Sequence, residues 1–337
     1  MESSRILVAP GLRTRAHPGW RARLSSALAV VSGEPRLWLL GMVGFLLRGG
    51  VLVLVVPTVV LPTQVEARLL IGDYLGSMGF TSGFWALIAV AAFGALALSV
   101  ALLAVLARIE LSAFEALIED PAMADHRPFA PARPSRQARR LLLFRLFGIQ
   151  VLTLVALVVA AAPLVSAVGQ KAFDEIVRPS SSSSIYARVL SGVGEPLFLF
   201  LIGLVLIEMV SALASREVLV RQTGWRANPA ARRWWLAPAF GSAVARPVLS
   251  PLRTFATAAL GWAATVAVLI PALWAISIAW QAVRAAFLTS VGFSDAREVL
   301  GMVLVALALS GAFFLAVVLG GFASALRAAL WSVERLR

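Results

Sequence analysis

Three ionisable residues interrupt long apolar runs of this chain. Arg48, Glu208 and Arg145 each lie within a separate run. A charge inside such a run is costly unless it pairs or meets water, so each position is a candidate for ion pairing, proton transfer or substrate binding. We interpret Glu208 as half of an intramembrane ion pair because its short stem cannot easily reach the surface, whereas Arg145 can extend to the headgroups.

The depth of each charge predicts which residues pair. At 1.5 Å per residue, Arg48 lies about 16 Å into its run, Glu208 about 10 Å and Arg145 about 6 Å. We therefore predict that Glu208 pairs with Arg48 in preference to Arg145. Gly49 and Gly50 follow Arg48 and would let a second helix approach closely. A proton, ion or substrate pathway through the same charges is the alternative interpretation.

No other group of residues predicts catalysis or metal binding. The chain has no cysteine, which excludes disulfides, thiolate metal sites and a cysteine nucleophile. His17 and His126 are its two histidines, and the proline-rich segment that holds Asp120, Asp125 and His126 offers no regular scaffold for metal ligands. Neither a Ser-His-Asp order nor a phosphate-cradling glycine loop can be identified. We therefore expect no enzymatic activity, no metal and no cofactor.

Basic and aromatic residues stand side by side in one long polar connection, at Arg232, Arg233, Trp234 and Trp235. Arginine and tryptophan together are typical of the headgroup level of a membrane, where the guanidinium meets phosphate and the indole lies between apolar and aqueous surroundings. This patch predicts contact with membrane lipids.

The runs that carry these residues predict an all-α integral membrane protein. Hydrophobic residues make up 60% of the 337 residues and charged residues 14%, whereas a soluble domain has about 45–50% and about 25%. A membrane helix needs about 20 apolar residues. Continuous runs rich in Ala, Val and Leu favour helices over the strands of a barrel. We predict spans at 37–61, 84–107, 141–168, 193–215, 252–280 and 299–325.

The net charge of +13 reflects membrane topology and does not indicate nucleic-acid binding. Most positive residues lie in the two tails and in the connections around 127–145 and 216–253. The other three connections hold only Arg68, Lys171, Arg178, Arg188, Arg284 and Arg297. The positive-inside rule therefore places both termini and the two long connections in the cytoplasm. We expect a plasma-membrane or inner-membrane location and no nucleic-acid partner.

The spans define the expected organisation of the chain. Residues 1–36 form a basic N-terminal segment, 37–325 a single six-helix transmembrane domain with interfacial helices on its cytoplasmic side, and 326–337 a cytoplasmic tail. The first apolar run starts too far from Met1, and is too long, for a cleavable signal peptide.

Two sequence markers recur at nearly one spacing of 106 to 111 residues. The odd-numbered spans contain Pro57, Pro163 and Pro271, and the even-numbered spans end at Arg108, Arg216 and Arg327. This pattern predicts three copies of a two-helix hairpin, arranged around a pseudo-threefold axis or side by side. Alternatively the spacing is coincidental, because prolines are frequent in membrane helices and arginines at their cytoplasmic ends.

Two classes of function fit these features. The first is an accessory, assembly or scaffold subunit without enzymatic activity, which packs against membrane lipids, other membrane proteins or a copy of itself. It is favoured by the shortage of polar residues in the middle of the spans. The second is a transporter or permease component for a small or lipidic substrate, favoured by Arg48, Glu208 and the repeated markers. The sequence identifies neither the partner nor the substrate.

Overall fold

The structure is a computed structural model, and it describes residues 20–59, 66, 69, 72–74, 76, 80–119, 136–177, 185–220, 236–289 and 296–335. These residues are almost entirely helical and form no strand. The predicted all-α fold is therefore confirmed. Among the described residues, six helices are long and apolar enough to cross a membrane.

The described helices are, in chain order, α1 (Trp20–Gly33), α2 (Pro35–Phe45), α3 (Val51–Val55), α4 (Ser82–Glu119), α5 (Arg136–Val177), α6 (Ile185–Gly192), α7 (Gly194–Val220), α8 (Leu236–Leu249), α9 (Pro251–Thr289) and α10 (Ala296–Arg335). Short irregular helical segments occur at Leu46–Gly50, Val56–Thr58 and Gly72–Tyr74. The first candidate span, Pro35–Thr58, consists of α2, α3 and the segments beside them. The other five candidate spans lie in α4, α5, α7, α9 and α10.

Several helices extend well past the ends predicted for the spans. Helix α4 has 38 residues, which corresponds to about 57 Å, nearly twice the thickness of the hydrocarbon core. Its C-terminal part continues because Leu111, Phe114 and Ile118 recur at helical spacing and are buried. Helix α10 likewise continues to Arg335 through the residues predicted to be a tail, and Leu330 is buried there.

The first candidate span is interrupted at Arg48. Backbone angles inside Leu46–Gly50 leave the helical region at Arg48 (φ −84°, ψ 17°) and at Gly49 (φ 94°). Glycine tolerates the positive φ because it has no Cβ. A Cβ atom at Gly50 would lie 2.6 Å from the Phe45 carbonyl oxygen. The two consecutive glycines therefore permit the break between α2 and α3.

Most of the buried side chains lie at one end of the molecule, which we call the packed end and define by two clusters. The first joins α4, α5, α7 and α8 with one residue each of α9 and α10, and includes Leu111, Phe114, Leu142, Leu146, Ile149, Leu213, Leu219, Ala243, Ala258 and Trp331. The second joins α1 and α2 to α4 and the C-terminal part of α10, and includes Val30, Val31, Leu37, Leu117, Leu326, Leu330 and Val333. Helix α10 connects the two clusters and contacts α1, α2, α4, α7 and α9.

We call the opposite end of the bundle the open end. Some of the helices separate there, and others stay in contact. Helices α3, α9 and α10 stay together through Leu54, Ile276 and Ala316. Helix α5 remains close to α7, where a Cβ atom at Gly203 would lie 3.7 Å from Ala160. In α4, every residue from 86 to 98 is exposed. At the open end, packing is therefore limited to these contacts, and α4 is left exposed.

The predicted hairpins correspond in part to contacts between helices. Consecutive candidate spans touch, α2 with α4, α5 with α7 and α9 with α10. The sequence markers, however, occupy different environments. Arg108 is exposed whereas Arg216 is buried, and Pro57 lies in a short 3₁₀ turn whereas Pro163 and Pro271 lie inside continuous helices. The three-hairpin repeat therefore stays a prediction.

Candidate functional site

An ion pair between α7 and α10 holds Glu208 inside the bundle. A guanidinium nitrogen of Arg327 contacts the Glu208 carboxylate. The guanidinium carbon of Arg327 also lies 5.2 Å from the centre of the Trp262 ring on α9, a distance that allows a cation–π interaction. Gly261 leaves room for this arrangement, because a Cβ atom there would lie 2.8 Å from Arg327 Cγ. Arg327 is therefore fixed by groups on two neighbouring helices.

A second ion pair connects the break in the first span to α4. Arg48 Nη2 donates a hydrogen bond to Glu110 Oε1 at 2.5 Å. The Glu110 side chain is 8% exposed, whereas the Arg48 side chain is 34% exposed. The interruption at Gly49 thus places a guanidinium against a buried carboxylate of the next candidate span.

The predicted pairing of Glu208 with Arg48 is not observed, because Arg48 pairs with Glu110 and Arg327 pairs with Glu208. Helix α2 packs beside the C-terminal part of α10, where a Cβ atom at Gly41 would lie 2.2 Å from the Gly321 carbonyl oxygen. Arg48 is consequently level with Glu110, past the predicted end of the second span at 107. Counting residues from the start of each run does not identify this pairing, because the first apolar run starts inside the packed end.

Arg145 also differs from the prediction. It is 6% exposed and lies on α5 between Leu142 and Leu146, which belong to the first cluster of the packed end. The predicted extension of Arg145 to the headgroups is not observed, because this side chain is buried in the protein.

A further arginine, Arg216 on α7, belongs to the group around Glu110. It is 4% exposed, and its guanidinium carbon lies 5.8 Å from the centre of the Phe114 ring. Phe114 follows Glu110 by about one turn of α4, so the guanidinium of Arg216 lies near Glu110. Arg216 interacts electrostatically with both Glu110 and Arg48. Its Nη1 atom and the Glu110 Oε2 atom are buried without a hydrogen-bond partner.

Charged groups also connect the first and the last described helices at the packed end. Arg23 on α1 forms an ion pair with Glu334 on α10. Burial lowers the pKa of the Arg246 guanidinium on α8 below its usual value, and the Glu334 carboxylate opposes that shift. Glu334 therefore interacts with basic residues from two other helices.

Two cavities lie near these residues. The gap beside Glu208 and Arg327, bordered by Trp262 and Trp331, has a volume of about 10 Å³, which leaves room for one water molecule at most. A cleft of about 220 Å³ lies between α5, α7 and α8 and is lined by Leu152, Thr153, Ala156, Leu206, Ile207, Val210, Ser211 and Phe240. Its Thr153 and Ser211 hydroxyls are hydrogen-bonded to each other at 2.8 Å. The larger cleft is therefore apolar, and the gap at the ion pair is very small.

Sequence reasoning missed Glu110 and did not place Arg216 or Arg327 in ion pairs. Glu110 lies among buried α4 residues that recur every three or four positions, namely Leu106, Ala107, Leu111, Phe114, Leu117 and Ile118. This periodicity, which continues past residue 107, was the signal that would have placed Glu110 on the buried face.

Some predicted site residues lie outside the described part of the chain. These are Arg232, Arg233, Trp234 and Trp235 of the lipid-headgroup patch, together with His17, Asp120, Asp125 and His126. Within the described residues, no three His, Cys, Asp or Glu side chains are grouped in a way that suits a metal ion.

Comparison with known proteins adds no further information about the site. No family model, no curated protein and no solved structure matches this chain. The functional interpretation therefore rests on the helices and contacts described above.

Proposed function

We propose that this chain is an integral membrane protein that serves, without enzymatic activity, as an accessory, assembly or scaffold subunit packing against other membrane proteins and lipids. The main support is the exposure of residues 86–98 of α4, which lack cover on every side for more than three helical turns. Helix packing is a principal source of stability in membranes, so a span without neighbours over this length favours a partner outside the chain.

The charged groups support a structural role for the packed end. Arg327 pairs with Glu208 and Arg48 pairs with Glu110, and the gap beside the first pair holds one water at most. A substrate or ion pathway needs a wider space at its charged groups. Removing one member of a buried pair leaves an uncompensated charge, so these pairs constrain how the helices assemble.

The membrane location and the orientation are part of the same proposal. The six candidate spans have mean hydropathies between 2.0 and 2.7 over their most apolar windows. An aromatic cluster near the N-terminal end of α4, formed by Tyr74, Phe80, Phe84, Trp85 and Phe173, is typical of a membrane interface. We assign the packed end to the cytoplasm of a plasma or inner membrane because the helix ends that flank the two basic connections lie at that end.

Photo-cross-linking from α4 tests the subunit role. A photoreactive amino acid at Val90 or Phe93, both exposed, is expected to form an adduct with one membrane protein of defined mass in intact membranes. The matched control is the same amino acid at Leu111, which is buried on the same helix. Replacing Gly94 by Trp should abolish the adduct and reduce the mass of the complex in mild detergent. Adducts with lipid alone at both exposed positions would contradict the subunit role.

A transporter or permease component for a small or lipidic substrate is the second candidate. It is favoured by the interruption at Gly49 next to Arg48, because discontinuous helices often form substrate and ion sites. The apolar cleft beside Leu206 and Phe240 would suit a lipid chain. A Leu206→Trp substitution fills the cleft. Loss of a transport activity in proteoliposomes by this variant, without loss of folding, would favour the second candidate over the first.

A further inference from the structure

The carboxylate of Glu110 interacts with the guanidinium groups of Arg48 and Arg216 but forms a hydrogen bond only with Arg48. Its Oε1 atom accepts the hydrogen bond from Arg48 Nη2, whereas its Oε2 atom is buried without a partner. Arg216 approaches from α7 over Phe114, and its Nη1 atom is also buried without a partner. One buried donor and one buried acceptor in the same charge group are therefore unsatisfied.

We propose that Glu110 exchanges between Arg48 and Arg216, and that this exchange switches the first span between an interrupted and a continuous helix. In the observed state, Glu110 holds Arg48, and the backbone breaks at Arg48 and Gly49. In the alternative state, Glu110 Oε2 accepts a hydrogen bond from Arg216 Nη1, and Arg48 is released. The switch is independent of which partner or substrate the protein binds.

Glu110 forms its hydrogen bond with Arg48 in one state and with Arg216 in the other, so each state leaves one of the two guanidinium groups without this carboxylate. The observed state leaves the fully buried Arg216 incompletely bonded and keeps Arg48 near two like charges, because Arg48 interacts electrostatically with Arg216 and Arg327. The alternative state satisfies Arg216, and Arg48 is the guanidinium better able to leave because its side chain is 34% exposed. Its long stem reaches water or lipid phosphate.

The backbone at the break supplies the moving part. Gly49 has a positive φ that other residues rarely adopt, and Gly50 makes room for the Phe45 carbonyl oxygen. Both features are needed only while the helix is interrupted. The Arg48–Glu110 bond holds the side chain at the centre of this break, so its loss removes the contact that favours the interrupted backbone. A segment that exchanges between two conformations requires contacts that differ between them, and the Arg48–Glu110 bond is such a contact.

Distance measurement across the break tests the switch. The chain has no cysteine, so spin labels at Leu39→Cys and Leu52→Cys would be attached only at these two exposed positions on either side of the break. In a continuous helix the two labelled backbone positions are about 20 Å apart, and the interruption shortens this separation. Pulsed electron resonance of the purified chain in lipid nanodiscs then reports the two populations. The longer distance is expected as a minor population of about 0.1–10% in the parent.

Each substitution has a distinct expected result. Arg48→Gln should make the longer distance the main population, and Arg216→Gln should leave only the shorter one. Gly50→Ala should also give the longer distance, because a Cβ atom there would lie 2.6 Å from the Phe45 carbonyl oxygen. Arg139→Gln is the matched control, since it removes a guanidinium from the exposed pair with Glu115 and should reproduce the parent distribution.

The proposal is overturned if Arg48→Gln and Arg216→Gln give the same distribution, or if Gly50→Ala leaves the distance unchanged. Should a glutamine variant fail to fold, Arg48→Lys and Arg216→Lys keep the charge and remove the multiple guanidinium donors. The two lysine variants should shift the populations in opposite directions, and equal shifts would overturn the proposal as well.

Discussion

Glu208 on α7 forms its ion pair with Arg327 on α10, a residue that belongs to the last candidate span and follows its most apolar part. The pair joins two helices that are distant in sequence, and Trp262 of α9 covers the guanidinium from a third helix. This contact fixes the relative positions of α7, α9 and α10 beside the packed end.

Replacing one member of this pair should destabilise the protein more than replacing both members. We expect Glu208→Leu alone and Arg327→Leu alone each to cost up to about 3–5 kcal/mol, because each leaves a partly buried charge without compensation, whereas the double substitution should be nearly neutral. The fraction of folded protein and its thermal unfolding in detergent measure these effects. Arg139 and Glu115 form an exposed control pair, whose single substitutions should cost less than about 1 kcal/mol. A double variant no more stable than either single variant contradicts the prediction.

Close contact between α2 and α10 should make Gly41 sensitive to the smallest substitution. A Cβ atom at Gly41 would lie 2.2 Å from the Gly321 carbonyl oxygen, so Gly41→Ala should force the helices apart at a cost of about 1–3 kcal/mol. Gly94→Ala is the matched control, because a Cβ atom there meets nothing within 4 Å. The control should be neutral or slightly stabilising, since alanine favours a helix more than glycine does. Equal stabilities of the two variants would show that α2 and α10 do not approach as described.

Two phenylalanines on α4 distinguish the packed end from the open end. Phe114 has no exposed surface, and Phe114→Ala should reduce the free energy of unfolding by about 3–5 kcal/mol. Phe93 is 74% exposed, and Phe93→Ala should change it by less than about 0.5 kcal/mol. Thermal unfolding of the purified chain, separated from any partner, measures both. A large effect at Phe93 in the isolated chain would mean that the outer half of α4 packs within it.

Reporter fusions test the proposed orientation. Reporters placed after Arg140, after Ser242 and at the C-terminus should be active in the cytoplasm, and a reporter at Ser182 should be active outside. The physical reason is the concentration of arginines in the tails and in the two long connections. A C-terminal reporter that is active outside would require an odd number of membrane spans.

The number of long apolar helices was predictable because each apolar run is a local feature of the sequence. Each of the six predicted spans overlaps one candidate span, including those whose helices contain Pro163 and Pro271. The ends of the helices were less predictable. Residues 108–119 and 326–335 have mixed composition, and they continue as helices because Phe114 and Leu330 find apolar neighbours on other helices. Such neighbours are not visible in a local pattern.

The partners of the buried charges were not predictable from depth alone. Counting residues from the start of a run assumes that every run starts at the same level. Helix α2 starts inside the packed end, so Arg48 meets Glu110 instead of Glu208. Glu208, a carboxylate on a short stem, contacts an arginine that was not predicted as its partner. That this arginine is Arg327 follows from the packing of α7 against α10.

The difference between the packed end and the open end determines how the protein would respond to the thickness of a bilayer. Helices that are packed along their whole length must tilt together when their apolar length and the hydrocarbon thickness differ. Here the outer part of α4 is exposed from residue 86 to 98, so a bend within this helix can change the tilt of its outer part while Phe114 and the rest of the packed end stay in place. In the proposed membrane orientation, hydrophobic mismatch would be accommodated mainly by the outer part of α4, while the geometry of the charged groups at the packed end stays constant.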